Sequence, residues 1–325
     1  MSSQPRPPHV LATASGRSAE PDAPRTRVAV IVGPTATGKS GLAIQLAEAL
    51  NGEIVNADAM ALYRGMDIGT AKPSRQQQHA APHHLLDIWP IQHEASVAEY
   101  QSRARTQITD IAARGRLPIL VGGSGLYVDA VLTDLRFPGT DPRIRAHWMQ
   151  QVAERGLPAV AAELARRDPA AATAIDPSNA RRIVRALEVI DVTGGPFAAR
   201  LPPPVAYYDE IRIGLWCPTA ERGERIRARV HAMIADGFVA EVSSLLEQGL
   251  AETPTASRAV GYAQIADALR GQVTMADAIE RTITATQAIA RRQAAWFRRN
   301  DRVHWLPVPV TDAALTLVSD WSGVR

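Results

Sequence analysis

The segment Gly33-Pro34-Thr35-Ala36-Thr37-Gly38-Lys39-Ser40 constrains this chain more than any other. It has the form Gly-x4-Gly-Lys-Ser, the P-loop pattern, and its flanks are the ones that pattern requires. Arg27 to Val32 reads RVAVIV, a β-branched run suited to a buried parallel strand. Residues 41–50, GLAIQLAEAL, carry apolar positions at helical spacing. A strand, a glycine turn and a helix in that order make an anion cradle. Glycine lets successive backbone N–H groups turn inward around phosphate oxygens, and the helix adds its positive N-terminus. Lys39 brings a compact charge, and the Ser40 hydroxyl suits a Mg2+ ion. The segment is therefore expected to grip a diphosphate, without saying which one.

The remaining pattern implies an α/β fold with a parallel sheet. Glu53 to Asp58 suits a second strand, and Leu117 to Val121 (LPILV) a third that ends at Gly122-Gly123. Val97 to Arg114 lies between them with helical periodicity, so strand and helix alternate. From about Asp141 to Arg200 the chain is rich in Ala and Arg, helical in pattern and without strand signals. Gly194-Gly195-Pro196 and Pro202-Pro203-Pro204 close that stretch. Ile211 to Trp216 restores a strand, helical patterns cover 220–248 and 275–299, and His304-Trp305-Leu306 suits a last short strand. The expected division is a core of residues 27–135 and 206–325, an all-α insertion at 136–205 and a disordered tail at 1–26.

Composition narrows the function classes. No apolar run approaches the roughly 20 residues of a membrane helix. Cys217 is the only cysteine, so no disulfide framework or Cys-based zinc site is expected, and a cytoplasmic setting is the simplest. The net charge is only +3, but the sequence pI of about 9.3 tilts toward an anionic partner. Among 36 basic residues only Lys39 and Lys72 are lysines. Where arginine is otherwise universal, the two lysines mark sites suited to a compact ammonium.

Ligands of open parallel sheets sit at the carboxyl ends of the strands. Asp58 is placed there, close to the P-loop if the two strands are neighbours. It suits a general base, and it equally suits a helix N-cap. A nucleotide hydrolase or kinase adds a hydrophobic strand ending in a Mg2+-binding Asp. Here LPILV ends in Gly-Gly-Ser, and neither Asp58 nor Asp87 follows a clear run of that kind. The stretch Ala59 to Pro73, with its glycines, Arg64 and Lys72, suits a loop over an anion. His83-His84 are adjacent, which is poor spacing for one metal ion.

Taken together, GPTATGKS, DAMALYRGMDIGTAKP, PHHLLDI, PILVGGSGLYVDAVL, RRIVRALEV and RAVGY resemble the bacterial tRNA dimethylallyltransferases, the IPP transferase family. The resemblance runs in order from about Val28 to about Trp305. It implies a P-loop NTPase-like core with an inserted helical domain that embraces a tRNA anticodon stem–loop. It implies Mg2+-dependent transfer of a dimethylallyl group from dimethylallyl diphosphate to N6 of the adenosine 3′ to the anticodon, by a monomer. Asp58 becomes the base that takes the amine proton. Ser124, where the family usually has Thr, contacts the target nucleotide.

By the same resemblance, Asp58, Ala59, Met60 and Ala61 line the tRNA site. Arg181, Arg182, Ile183, Val184 and Arg185 join them, as does Arg145. Composition alone reads those arginines as a solvated helix face. Arg258, Ala259, Val260, Gly261, Tyr262 and Ala263 form a further tRNA-contacting block, with Ala263 where the family has a basic residue. Arg225 is expected to face the diphosphate, although Thr219 and Gly223 break the family's pattern beside it. A small-molecule kinase, an isopentenyltransferase acting on free AMP and an NTP-dependent RNA-binding protein compete with this reading. The insertion argues against the first two, and the third leaves Asp58 and GGSGLY without a role.

Overall fold

A computed structural model describes residues 25–197, 205–310 and 312–323. The segment expected to be a tail therefore lies outside the described residues up to residue 24, as does the proline run 202–204. In chain order the elements are β1 (Arg27–Val32), α1 (Lys39–Ala49), β2 (Gly52–Asn56), α2 (Arg75–Ala80), β3 (His83–His84), α3 (Val97–Ala113), β4 (Leu117–Val121) and α4 (Gly125–Leu132). Four helices follow: α5 (Pro142–Arg155), α6 (Leu157–Arg167), α7 (Pro169–Ala174) and α8 (Ala180–Thr193). The chain returns through β5 (Asp209–Trp216), α9 (Thr219–Ala235), α10 (Phe238–Glu247), α11 (Tyr262–Leu269), α12 (Met275–Phe297), β6 (Val303–Pro307) and α13 (Asp312–Ser322).

The six strands form one sheet in the order β3-β2-β4-β1-β5-β6, and every pairing is parallel. This is the expected α/β architecture. β1, β2 and β4 are buried along nearly their whole length, which is why they read as continuous apolar runs rather than alternating ones. One face of the sheet packs Val28, Val30, Leu120, Tyr100, Phe238 and Tyr262. The other packs Ala29, Ile31, Ile119 and Ile213 under α1 and α13. β3 has only two residues and carried no legible strand signal. The helical pattern at 220–248 breaks at Gly237, whose φ of 101° no α-helix accommodates, leaving α9 and α10 as separate helices.

The four helices α5–α8 have a core of their own, built from Trp148, Val160, Leu164, Ile175, Ile183, Val184, Leu187 and Ile190. Their base is fixed by Glu188, a fully buried carboxylate. It accepts the Asp141 N–H at 3.0 Å and pairs with Arg145 at 3.2 Å and Arg185 at 3.0 Å. Asp141 in turn caps α5 by accepting the N–H groups of Arg143 and Ile144. Among the described residues no helix is long and apolar enough to cross a membrane.

Candidate active site

The P-loop runs from the end of β1 to the start of α1, as its sequence requires. Inside it, the Thr37 hydroxyl and the Lys39 ammonium both donate to the Pro34 carbonyl, at 2.8 and 2.7 Å. These bonds curl the loop on itself. The first N–H groups of α1 have no acceptor within the helix, so they are available to an anion. Lys39 is half-buried, and its pKa falls from 10.5 to about 8. Desolvation is the main cause and the nearby charge of Arg229 the second, with Asp58 opposing them. A partly desolvated ammonium bonded to a carbonyl and repelled by a guanidinium favours an incoming anion. Ser40 is exposed one residue further along α1.

Asp58 and the P-loop are not on neighbouring strands, contrary to the simplest expectation. β4 lies between β1 and β2. The two sites still act on each other because β4 ends in glycine. A Cβ on Gly122 would collide with the Ala57 carbonyl, and one on Gly123 with the side chain of Gln293. With no side chains there, the Asp58 carboxylate is close enough to raise the pKa of Lys39. Asp58 also does what an N-cap does: its Oδ1 accepts the Met60 N–H at 2.9 Å, and its own N–H donates to Asn56 at 3.0 Å. Among the described residues its Oδ2 has no hydrogen-bond donor. One oxygen thus fixes the carboxylate and the other is left for chemistry.

The charge of Asp58 reaches two tyrosines, Tyr100 and Tyr127. The Tyr100 hydroxyl donates to the Asn56 carbonyl at 2.9 Å, and its ring lies 4.6 Å from that of Tyr127. Burial pushes Tyr127 up to about 12, helped by Tyr63 and Asp58 and opposed by Arg181. The charge of Arg181, at the start of α8, thus reaches Tyr127. Arg181 is exposed, and no carboxylate among the described residues pairs with it. Ser124 takes the N-cap position of α4 but makes no side-chain cap bond, so its half-buried hydroxyl is free for a ligand.

Several expected contacts take other roles. Arg225 pairs with Glu221 at 2.6 Å, one turn away on α9. The guanidinium that acts on Lys39 is that of Arg229, one further turn along the helix. Ile183 and Val184 are 2% and 6% exposed and belong to the insertion's core, so helical periodicity turns their side chains away from any RNA. Arg185 also donates to the Gly139 and Pro138 carbonyls, and Arg145 pairs with Glu94 at 2.7 Å as well as with Glu188. Both are structural braces. Arg182 is exposed, with its N–H held by the Asn179 cap.

In the other block, Arg258 is exposed and Val260 and Ala263 are half-buried. Ala259, Gly261 and Tyr262 are buried. Tyr262 packs edge-on against Phe238 and donates its hydroxyl to Glu241 at 2.6 Å. Glu241 also accepts the N–H groups of Asp67, Ile68 and Gly69. This joint ties the VGY and DIGT segments together through one carboxylate. Ala59 and Met60 are half-buried beside Asp58, whereas Ala61 is buried. Lys72 is 3% exposed in its side chain and is held by Asp67, Asp87 and the Tyr63 carbonyl. Asp87 is thereby committed to bracing the loop. His84 binds Glu53 at 2.6 Å, and no group of three metal-ligating residues occurs among the described residues.

Comparison with known proteins places the chain in a family. The family model for IPP transferases matches residues 61–300. The chain is 56% identical over 279 residues to a tRNA dimethylallyltransferase of Salinispora arenicola, covering 86% of this chain and 82% of that one. It is 53% identical over 305 residues to the Thermobifida fusca protein of the same name, covering 91% and 96%. The crystal structure of a tRNA isopentenylpyrophosphate transferase from Bacillus halodurans superposes with a TM-score of 0.68 at 37% identity, over 92% of this chain and 96% of that one. A eukaryotic dimethylallyltransferase acting on tRNA gives a TM-score of 0.78 at 24% identity over 92% and 80%, a likeness of fold. The chain belongs to the IPP transferase family.

Proposed function

We propose that this chain transfers a dimethylallyl group from dimethylallyl diphosphate to the N6 amine of the adenosine 3′ to the anticodon of tRNA. The observation that carries the reading is the meeting of Lys39, Arg229 and Asp58 across glycine strand tips. A diphosphate on the loop would lie beside two cations, with a carboxylate oxygen opposite. The C–O bond between the allylic carbon and the diphosphate breaks, and the N6–C bond forms. Negative charge grows on the leaving diphosphate, where Lys39, Arg229 and the α1 N–H groups stabilise it. One such donor is worth about 3–4 kcal/mol in a dry site.

The amine is a poor base and donates its proton to Asp58 Oδ2 as its bond to carbon forms. The Asp58 Oδ1 bond to Met60 holds the carboxylate in place meanwhile. Mg2+ fits this donor set. The exposed Ser40 hydroxyl offers one protein oxygen, and Mg2+ takes one or two such ligands plus phosphate and water. Bound there, the ion would neutralise charge on the diphosphate. Arg181 is suited to a phosphate of the RNA, since it is exposed, has no carboxylate partner among the described residues and has its charge within reach of Tyr127. Ser124 is suited to a hydrogen bond with the target nucleotide. Unstacking that nucleotide costs a few kcal/mol, which contacts of this kind offset.

The test is transfer of labelled dimethylallyl from its diphosphate to an anticodon stem–loop with Mg2+ present. Label in the stem–loop adenine is expected. Label in free AMP but not in the stem–loop would overturn the reading.

A further inference from the structure

The Thr35 N–H, in the middle of the P-loop, donates to Oε1 of Gln293 at 2.8 Å. Gln293 lies on α12, 258 residues away in sequence. The Nε2 of the same amide lies against Gly123, so closely that a Cβ there would collide with it. One planar side chain therefore touches both the loop that grips the diphosphate and the strand tip that leads to Ser124.

The next turn of α12 repeats the arrangement. Trp296 covers Gly125, and its indole N–H donates to Asp129 at 2.8 Å. The P-loop has a second anchor on the same helix pair: Ala36 is buried against Ile226, Val230, Ile283 and Ala290. Ala36 holds a φ of 66°. A left-handed conformation costs a residue with a Cβ about 1–2 kcal/mol, so the surrounding contacts must impose the loop's shape. With Thr35 N–H directed at Gln293, that donor is fixed outward from the anion cradle.

We infer that Gln293 is a positioning residue that sets the spacing between the diphosphate and the acceptor adenine. The inference rests on the proposed transfer reaction. Displacement at carbon needs the reacting atoms within about 3–3.5 Å, and a misplacement of about 1 Å can cost about 10²-fold in rate. Gln293 registers the two walls against each other. An apolar side chain of equal length would fill the same space but leave Thr35 N–H without its acceptor, free to swing toward the diphosphate.

Gln293→Met and Gln293→Glu separate these roles. The measurements are single-turnover transfer to the stem–loop, dissociation constants for inorganic pyrophosphate and for the stem–loop, and thermal melting. Gln293→Met is expected to slow transfer by about 10–100-fold while both dissociation constants stay within about threefold. Gln293→Glu keeps an oxygen for Thr35 and is expected to hold the rate within about fivefold, with weaker pyrophosphate binding from its added charge. An unchanged rate in Gln293→Met overturns the inference. So does a loss fully explained by weaker pyrophosphate binding, or a Gln293→Glu enzyme as slow as Gln293→Met. If Gln293→Met melts early, Gln293→Asn, too short to reach Thr35, carries the same expectations. A wild-type enzyme that labels no stem–loop sinks the reaction reading instead, so the two failures are distinct.

Discussion

Positive charge is handled in opposite ways at the strand tips and in the helical insertion. At the strand tips, Lys39 is half-buried with a carbonyl as its hydrogen-bond acceptor and lies in the field of Arg229. In the insertion, Arg145 and Arg185 converge on the buried carboxylate of Glu188. The first arrangement stores repulsion that an anion relieves, and the second is already neutralised. Arginine-rich composition describes both regions equally well. What separates a binding cation from a brace is whether a carboxylate reaches it.

The largest expected effect breaks the strand-tip side of this contrast. Asp58→Asn keeps an oxygen for the Met60 N–H but cannot accept the amine proton. Turnover should fall by about 10²–10⁴-fold with stem–loop affinity retained, the usual weight of a general base. Rapid turnover in that variant would remove Asp58 from the chemistry. Next, Glu188→Ala should destabilise the insertion by about 2–3 kcal/mol, because two half-buried guanidiniums and the Asp141 N–H lose their acceptor. Denaturant melting checks this; an unchanged midpoint would mean that the braces carry no stability.

The pH dependence sharpens the comparison. Lys39 attracts an anion only when protonated, and in the free protein it loses its proton above about 8. Once pyrophosphate's own ionisation is allowed for, its affinity should therefore be flat below that pH and fall by about tenfold per pH unit above it, Lys39 taking up one proton with each anion. Calorimetry across pH 7–10 measures the slope, and a flat profile would place Lys39 outside the site. The smallest effect concerns RNA. Arg181→Ala should weaken stem–loop binding by about threefold to tenfold and make it less salt-dependent, whereas Arg145→Ala should act mainly through stability. Equal affinity losses at constant stability would erase the distinction between the two arginines.

Much of this site was legible because its parts are local. A β-branched run, glycine spacing, Lys39 and Ser40 specify strand, turn and helix within about fifteen residues, and hydrogen bonding between near neighbours suffices to build them. Asp58 was legible as a strand-tip acid, and LPILV followed by Gly-Gly as a buried strand with a bare end. That the charge of Arg229 reaches Lys39, while Arg225 pairs with Glu221, was not legible. Both recur at helical spacing on α9, and only the packing of that helix decides which charge acts on Lys39. Ile183 and Val184 illustrate the same limit, for membership of a motif does not tell which side of a helix is core. Glu241 and Gln293 gave no signal, since their partners Gly69 and Thr35 lie 172 and 258 residues away.

The sequence by itself determined the parallel α/β core, the strand–turn–helix around Gly33 to Ser40 and the run of helices before β5. Each of these follows from periodicity or from bonding within one turn of chain. Tertiary structure alone decided that β4 separates the cradle from Asp58, and that bare glycine ends let the two sites act on each other. It also decided that a buried carboxylate, Glu188, claims Arg145 and Arg185. Those outcomes depend on strand order and on contacts between distant segments, and burial then sets the strength of each charge.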